Sequence, residues 1–219
     1  ESDLIGSREV PESALYGVQT LRGIENFRIS KFHLNEYPLF IQALAITKMG
    51  AAVANRELDL LTEEQTDAIL RACKEILEGK HHDQFPVDMI QGGAGTTTNM
   101  NANEVIANRA LELMGHQRGE YQYCSPNDHV NRSQSTNDAY PTAIHIGLYY
   151  THLKLVKHFE VLIESFRKKA TEFAHVIKMG RTQLEDAVPM TLGQTFNGFA
   201  SILRHEVKNL DFAAQDFLT

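Results

Sequence analysis

"NRSQSTNDAYPTAIHIGLYY", residues Asn131–Tyr150, changes character halfway along. Its first part crowds together Asn131, Arg132, Ser133, Gln134, Ser135, Thr136, Asn137 and Asp138. Its second part launches a helix, with Asp138 able to cap it and Pro141 suited to its first turn. From Ala139 to Met179 only Pro141 and Gly147 interrupt the chain as helix-unfriendly residues. Leu148, His152, Leu155, Phe159, Leu162, Phe166, Ala170, Phe173 and Ile177 recur at three- and four-residue steps, the period of one helix face. About 35 such residues make a rod roughly 50 Å long, longer than most globular helices and suited to a bundle. Gly180 is the expected stop.

A second striped run begins near Thr191. Phe196, Phe199, Leu203, Val207, Leu210, Ala214 and Phe217 again step by three or four as far as Thr219. Two striped rods bury each other poorly without further partners. The expectation is therefore a fragment of a longer protein, or a chain that assembles with others.

Upstream, residues 1–35 carry Gly6, Pro11, Gly17 and Gly23 and read as an extended arm with one or two short strands. A helix is expected from Pro38. Another follows Thr62, with Gln65 placed for a capping box and Gly79 closing it. A third runs from Asn99 to Gly115. The fold class is mainly α: a mixed, helical N-terminal domain over residues 1–138, then the first part of a long helical-bundle domain over 139–219.

The chain is 42% hydrophobic with a formal net charge of −7, from 21 Lys+Arg against 28 Asp+Glu. An acidic balance argues against a general nucleic-acid binder, which needs a basic face. The absence of a basic leader or a membrane-length apolar run predicts a soluble protein that does not span a membrane. Cys73 and Cys124 form no CxxC pattern, and read as reduced, buried thiols of a cytoplasmic protein. "HHD" at His81–Asp83 lacks a third ligand at useful spacing, so a solvated loop is expected and no metal site is assigned.

Three polar clusters stand beside helix starts: "QGGAGTTTNMN" (Gln91–Asn101), "NRSQSTNDAYP" (Asn131–Pro141) and "KMGRTQLEDAVPMTLGQ" (Lys178–Gln194). The first places three threonines between a Gly-rich turn and a helix; the last is expected to be a loop between the two rods. Hydroxyls, amides and free backbone N–H groups at a helix N-terminus hold an anion such as a carboxylate. The same residue types also cap helices and make turns, and that structural reading stays open for each cluster. "GGAGTTTN" is not a Walker A loop, because the Lys-Ser/Thr ending is missing.

"GAGTTTNMNANEVIAN", "SPNDHVNRSQSTNDAYPTA" and "GRTQLEDAVPMTLGQ", in this order, resemble the fumarase/aspartase superfamily, most closely its aspartate ammonia-lyase branch. The resemblance runs from Leu4 to Thr219. It implies a mainly helical fold and a homotetramer with each active site shared by three subunits. The implied reaction is reversible deamination of L-aspartate to fumarate and ammonia, through proton abstraction and an enediolate. No organic cofactor is implied, and divalent-metal activation is compatible with the resemblance.

The resemblance also assigns residues. Thr96 matches a threonine that contacts a substrate carboxylate. Ser135, Thr136 and Asn137 match the row that holds the β-carboxylate and reaches the amino group, and Thr182 and Gln183 match the pair near the α-carboxylate and amino end. Related fumarases usually carry His in place of Gln183, and His-Pro-Asn-Asp where this chain has Ser125-Pro126-Asn127-Asp128. Both departures favour the aspartase reading over a fumarase, without deciding it. The base in this family is a serine in a "GSSxMPxKxN"-type loop. No "SS" pair occurs here, so no catalytic base is assigned; the serine is expected beyond Thr219, and the 219 residues alone are expected to be inactive. Asn127, Asp128, His129 and Arg181 are candidates for a supporting shell. Apart from a related lyase, the rival reading is a helical interaction protein whose polar clusters are only caps.

Overall fold

A computed structural model describes residues 1–218 and divides into two compact units, one from Glu1 to Gly147 and one from Leu148 onward. Six α-helices carry it: α1 (Val18–Asn26), α2 (Pro38–Glu57), α3 (Glu63–Leu77), α4 (Thr96–Leu113), α5 (Thr136–Glu172) and α6 (Leu192–Ala214). Two small antiparallel hairpins complete it, β1 (Ser2–Asp3) with β2 (Gly6–Ser7), and β3 (Ile177–Thr182) with β4 (Glu185–Thr191). The fold is mainly α. No helix among the described residues is long and apolar enough to cross a membrane.

In the first unit α2, α3 and α4 pack around Ile41, Leu44, Ile69, Ile76, Ile106 and Leu111, each at most 1% exposed. Pro38 occupies the first position of α2, where its missing N–H leaves no bond unmade. Thr62 and Gln65 form the reciprocal capping box at the start of α3, and Gly79, with φ +88°, follows its end. Cys73 and Cys124 are buried free thiols. The "HHD" segment turns on His81, and His81 and His82 pin it to the end of α3 through Glu75 (3.0 Å) and the Ile76 carbonyl (2.8 Å).

α4 is buried on nearly every side, including its polar residues Asn99, Asn101, Asn103, Glu104 and Asn108. A buried polar group needs a partner, and several of these become ties to other segments. Asn101 donates to the Gln84 carbonyl (3.0 Å) and Asn108 to the Leu15 carbonyl (2.8 Å). Glu104 accepts the backbone N–H groups of Gly17, Gln19 and Thr20 at 2.8–3.0 Å. That carboxylate caps α1, a helix in the stretch expected to be an extended arm; the β1–β2 hairpin is the only part of that arm that is strand.

Two further boundaries differ from expectation. α4 begins at Thr96, not Asn99, so its three threonines form the first turn. α5 begins at Thr136, so Pro141 lies inside the helix rather than in its first turn.

In the second unit α5 ends at Glu172, not near Met179. The "GRTQ" segment is a β-hairpin rather than a loop, with Gly180 inside its first strand. The closing contacts come from the start of α6: the N–H groups of Leu192 and Gly193 donate to the carbonyls of Val176 (2.8 Å) and Phe173 (2.9 Å). A side chain at Gly193 would stand 2.4 Å from the Ala170 carbonyl oxygen, so only glycine allows this approach. Thr191 and Gln194 form the capping box of α6.

Phe166 and Phe173 pack on Phe196 and Phe199, with ring centroids 5.6–6.0 Å apart. Much of the stripe is not covered within the unit: Leu148, Leu155, Leu162 and Phe199 remain exposed, as does Ile202 beside it. α6 tightens into a 3-10 turn at Gln215–Leu218, and Thr219, the last residue of the expected run, lies outside the described residues.

Candidate functional site

The Gly-rich segment reaches α4 through two left-handed glycines, Gly93 (φ +75°) and Gly95 (φ +86°). Gln91 anchors the turn by donating to the Thr98 hydroxyl (2.7 Å) and accepting the Thr98 N–H (2.8 Å). Gly95 precedes the helix and provides no side-chain cap; Gln91 takes the Thr98 N–H in its place, and the Thr96 side chain is exposed. A Cβ at Gly95 would lie 2.3 Å from the Tyr140 ring on α5. Gly95→Ala is expected to cost about 2–4 kcal/mol, from the left-handed backbone and the overlap with the ring. Chemical denaturation of the full-length protein checks it, and an unchanged midpoint would show that Tyr140 moves aside freely.

Thr96 and Asn99 lie three residues apart on one face of α4. The Asn99 amide group donates to the Thr136 hydroxyl oxygen at 3.2 Å. The first two polar clusters therefore converge: the first turn of α4 meets the first turn of α5. At that end of α5, Ser135 N–H donates to the Asp138 carboxylate (3.1 Å) and Asn137 N–H to the Ser135 hydroxyl (3.1 Å). Asp138 thus completes the cap from inside the helix. Ser135 and Asn137 are exposed and Thr136 is half-buried.

Beneath this meeting point lies a residue that the sequence reading passed over. Lys48, on α2, is fully buried. Its ammonium donates to the side-chain oxygens of Asn99 (2.7 Å), Asn131 (2.9 Å) and Gln134 (3.0 Å). Burial pushes its pKa down to about 7, while three carbonyl oxygens at this range favour the charged form. The Cys73 thiol, pushed up to about 12 by its own burial, stays protonated and offers no counter-charge. The available signal was a single lysine inside the apolar run "ALAITKMGAAVA".

Ser125–Asn131 form a separate turn. Pro126–Val130 coil as one wide π-type turn, capped by the Ser125 hydroxyl, which accepts the Asp128 N–H and donates to its carboxylate (both 3.1 Å). His129 accepts the Ser125 N–H at Nδ1 (2.7 Å), and burial lowers its pKa. The ring is engaged as a brace for the turn. Asn127 and Asp128 are exposed.

In the second unit Thr182 pairs with Glu185 across the tip of the β3–β4 hairpin, leaving Gln183 and Leu184 as a two-residue turn. Both have positive φ, +49° and +68°. Such turns usually recruit Asn and Gly, and a non-glycine residue there is strained by roughly 1–2 kcal/mol. Arg181 reaches Asp186 at 3.5 Å, with both side chains largely exposed, a pairing of little energetic weight. Leu184 is 95% exposed. Leu184→Gly is expected to stabilise the hairpin by up to about 1 kcal/mol, strain relief outweighing the added freedom of the unfolded chain. Slower hydrogen exchange across β3–β4 checks this; faster exchange would mean that the leucine side chain holds the turn in place.

Clustered neutral donors at two helix starts suit a carboxylate, held in fixed orientation without a lysine at each oxygen. No three His, Cys, Asp or Glu side chains among the described residues stand together as metal ligands.

A family model described as "Lyase" matches residues 6–219. An aspartate ammonia-lyase from Escherichia coli (strain K12) is 56% identical over 216 residues, covering 98% of this chain and 45% of that protein. One from Helicobacter pylori (strain J99) is 57% identical over 210 residues, covering 96% and 45%. The chain thus spans a little under half the length of these curated relatives. Among solved structures, a fumarate lyase:delta crystallin from Brucella melitensis superposes with a TM-score of 0.96 at 51% identity, over 99% of this chain and 49% of that one. A class II fumarase from Schistosoma mansoni gives 0.85 at 38% identity, over 94% and 43%. On the strength of a match along almost its whole length, the chain belongs to the lyase family, within the fumarase/aspartase superfamily.

Proposed function

We propose that this chain is part of an ammonia-lyase that converts L-aspartate reversibly to fumarate and ammonia. A base takes the proton from the carbon next to the β-carboxylate, and the C–H electron pair moves into that carboxylate as an enediolate. The pair then returns to form the C=C bond as the C–N bond breaks and ammonia departs.

Such a carbon acid is very weak. The barrier falls only if donors already point where the charge develops, and one such donor is typically worth about 3 kcal/mol. Thr96, Ser135, Thr136 and Asn137 take this role at the β-carboxylate. Thr182 and Gln183 hold the α-carboxylate and amino end, and Asn127, Asp128, His129 and Arg181 support the site from behind. The proton-abstracting serine comes from a segment outside these 219 residues. The active form is a cytoplasmic homotetramer with each site shared by three subunits, and it needs no organic cofactor.

The observation that carries the reading is the junction of α4 and α5, where Asn99 touches Thr136 and a row of hydroxyls and amides faces outward. Assaying the full-length protein with L-aspartate and with L-malate tests it. Ammonia and fumarate are expected from aspartate. Malate dehydration without ammonia release from aspartate would make the protein a fumarase instead. If succinate fails to bind near Thr96 and Ser135 in a crystal soak, the clusters are caps only.

A further inference from the structure

We propose that Lys48 is a positioning residue for this site: by holding the Asn99 side-chain oxygen, it turns the Asn99 amide group onto Thr136 and leaves the Thr136 hydroxyl proton free for the ligand. The inference rests on the reading of the α4–α5 junction as a carboxylate site.

An ammonium has three donors and no acceptor. At 2.7 Å from Lys48 Nζ, the Asn99 amide must present its oxygen, so its NH2 group faces the other way. That group meets Asn131 Oδ1 at 3.0 Å and Thr136 Oγ1 at 3.2 Å. A hydroxyl that accepts from Asn99 has its own proton left to donate. Among the described residues Thr136 Oγ1 accepts from Asn99 and donates to no other group. Were the Asn99 amide rotated by half a turn, its oxygen would draw the Thr136 proton inward, and a hydroxyl oxygen would face the anion.

The lysine secures the surrounding orientation as well. With their oxygens on Lys48, Asn131 donates to the Gln134 carbonyl (2.9 Å) and Gln134 to the Val130 carbonyl (3.0 Å). These bonds hold the backbone leading into α5.

Stability alone does not explain a lysine at this position. Removing an ammonium from water is costly, and among the described residues no carboxylate pairs with Lys48. A methionine would fill a similar volume, and apolar replacements of buried charges are often neutral or stabilising. What a methionine lacks is the power to orient an amide.

The test uses Asn99→Asp and Lys48→Met in the full-length enzyme. In Asn99→Asp the introduced carboxylate pairs with Lys48 but has no N–H to give, so the Thr136 proton turns inward. Asn99→Asp is expected to keep or raise the melting temperature. At the same time it should lower kcat for aspartate at least about 100-fold, the effect of losing one preorganised donor, with KM changed only a few-fold. Opposite movement of stability and turnover is what a merely structural role does not produce. Lys48→Met is expected to lose kcat similarly. Turnover within about threefold of wild type in either variant overturns the inference, and if Lys48→Met does not fold, Asn99→Asp decides alone.

If the unmodified enzyme releases no ammonia from aspartate, the proposed reaction fails while Lys48 is still tested by succinate affinity. Both variants should then bind succinate about tenfold more weakly. Equal affinity overturns the positioning role, and no succinate binding by wild type removes the carboxylate site and the inference with it.

Discussion

Glu104→Ala, made in the full-length protein, is expected to destabilise the first unit by roughly 3–5 kcal/mol and to release α1 before anything else. The carboxylate accepts three backbone N–H groups, from Gly17, Gln19 and Thr20. It lies almost wholly buried, at 2% exposure, so alanine leaves three donors without a partner in a place that water reaches poorly. Each stranded buried donor costs about 1–3 kcal/mol, and α1 also loses a negative charge at its positive end. Gly17 has no side chain for a steric reason: a Cβ there would come within 2.9 Å of both the Glu104 carboxylate and the Tyr121 hydroxyl. Hydrogen exchange on the α1 amides, run beside a denaturant titration, separates local from global loss. The expected result is α1 exchanging early while α3 stays protected. Glu104→Gln, which keeps one acceptor oxygen, should fall between. A loss below about 1 kcal/mol in Glu104→Ala would mean that Glu1, which already accepts the Val18 N–H at 2.9 Å, or ordered water takes over the freed amides.

The same contact explains what the sequence conceals. α2 and α3 announce themselves locally, through Pro38 and through the Thr62–Gln65 pair, because the groups that start them lie within four residues of the start. α1 carries no such sign: Glu104, 84 to 87 residues away, takes the N–H groups of Gly17, Gln19 and Thr20, and Glu1 takes that of Val18 at 2.9 Å, at distances no periodicity records. The hairpin hid for a different reason. Its turn is built of Gln183 and Leu184, which have no preference for left-handed backbone, and Pro189 and Gly180 within its strands look like breaks. The end of α5 was misplaced because Gly180 resembled a stop, whereas the closing bonds come from Leu192 and Gly193. At the site, hydroxyls and amides beside helix starts were legible as chemistry. Their convergence depends on Asn99 reaching Thr136 across 37 residues, and the lysine beneath them was masked by the apolar run around it.

Thr136→Val, again in the full-length enzyme, is expected to lower kcat for aspartate deamination by about 10²–10³-fold, or roughly 2.7–4 kcal/mol of barrier. Valine keeps the branched shape, so the first turn of α5 should pack as before. Under the proposed mechanism it removes the donor aimed at the growing negative charge. The Asn99 amide group loses its Thr136 partner but keeps its bond to Asn131 at 3.0 Å, which confines the structural cost to about 1 kcal/mol. Thr136→Ser retains the hydroxyl and should stay within about tenfold of the parent; Asn137→Ala, exposed at the same turn, should lower turnover with little change in folding. The distinction between kcat and KM matters. A donor that served ground-state and transition-state carboxylates equally would raise KM when lost and leave kcat alone, whereas one that strengthens as the enediolate forms costs kcat. Parallel loss of melting temperature and activity in Thr136→Val would make the residue a helix cap. Full turnover in that variant would place the enediolate elsewhere, and the junction of α4 and α5 would lose its claim to be the β-carboxylate site.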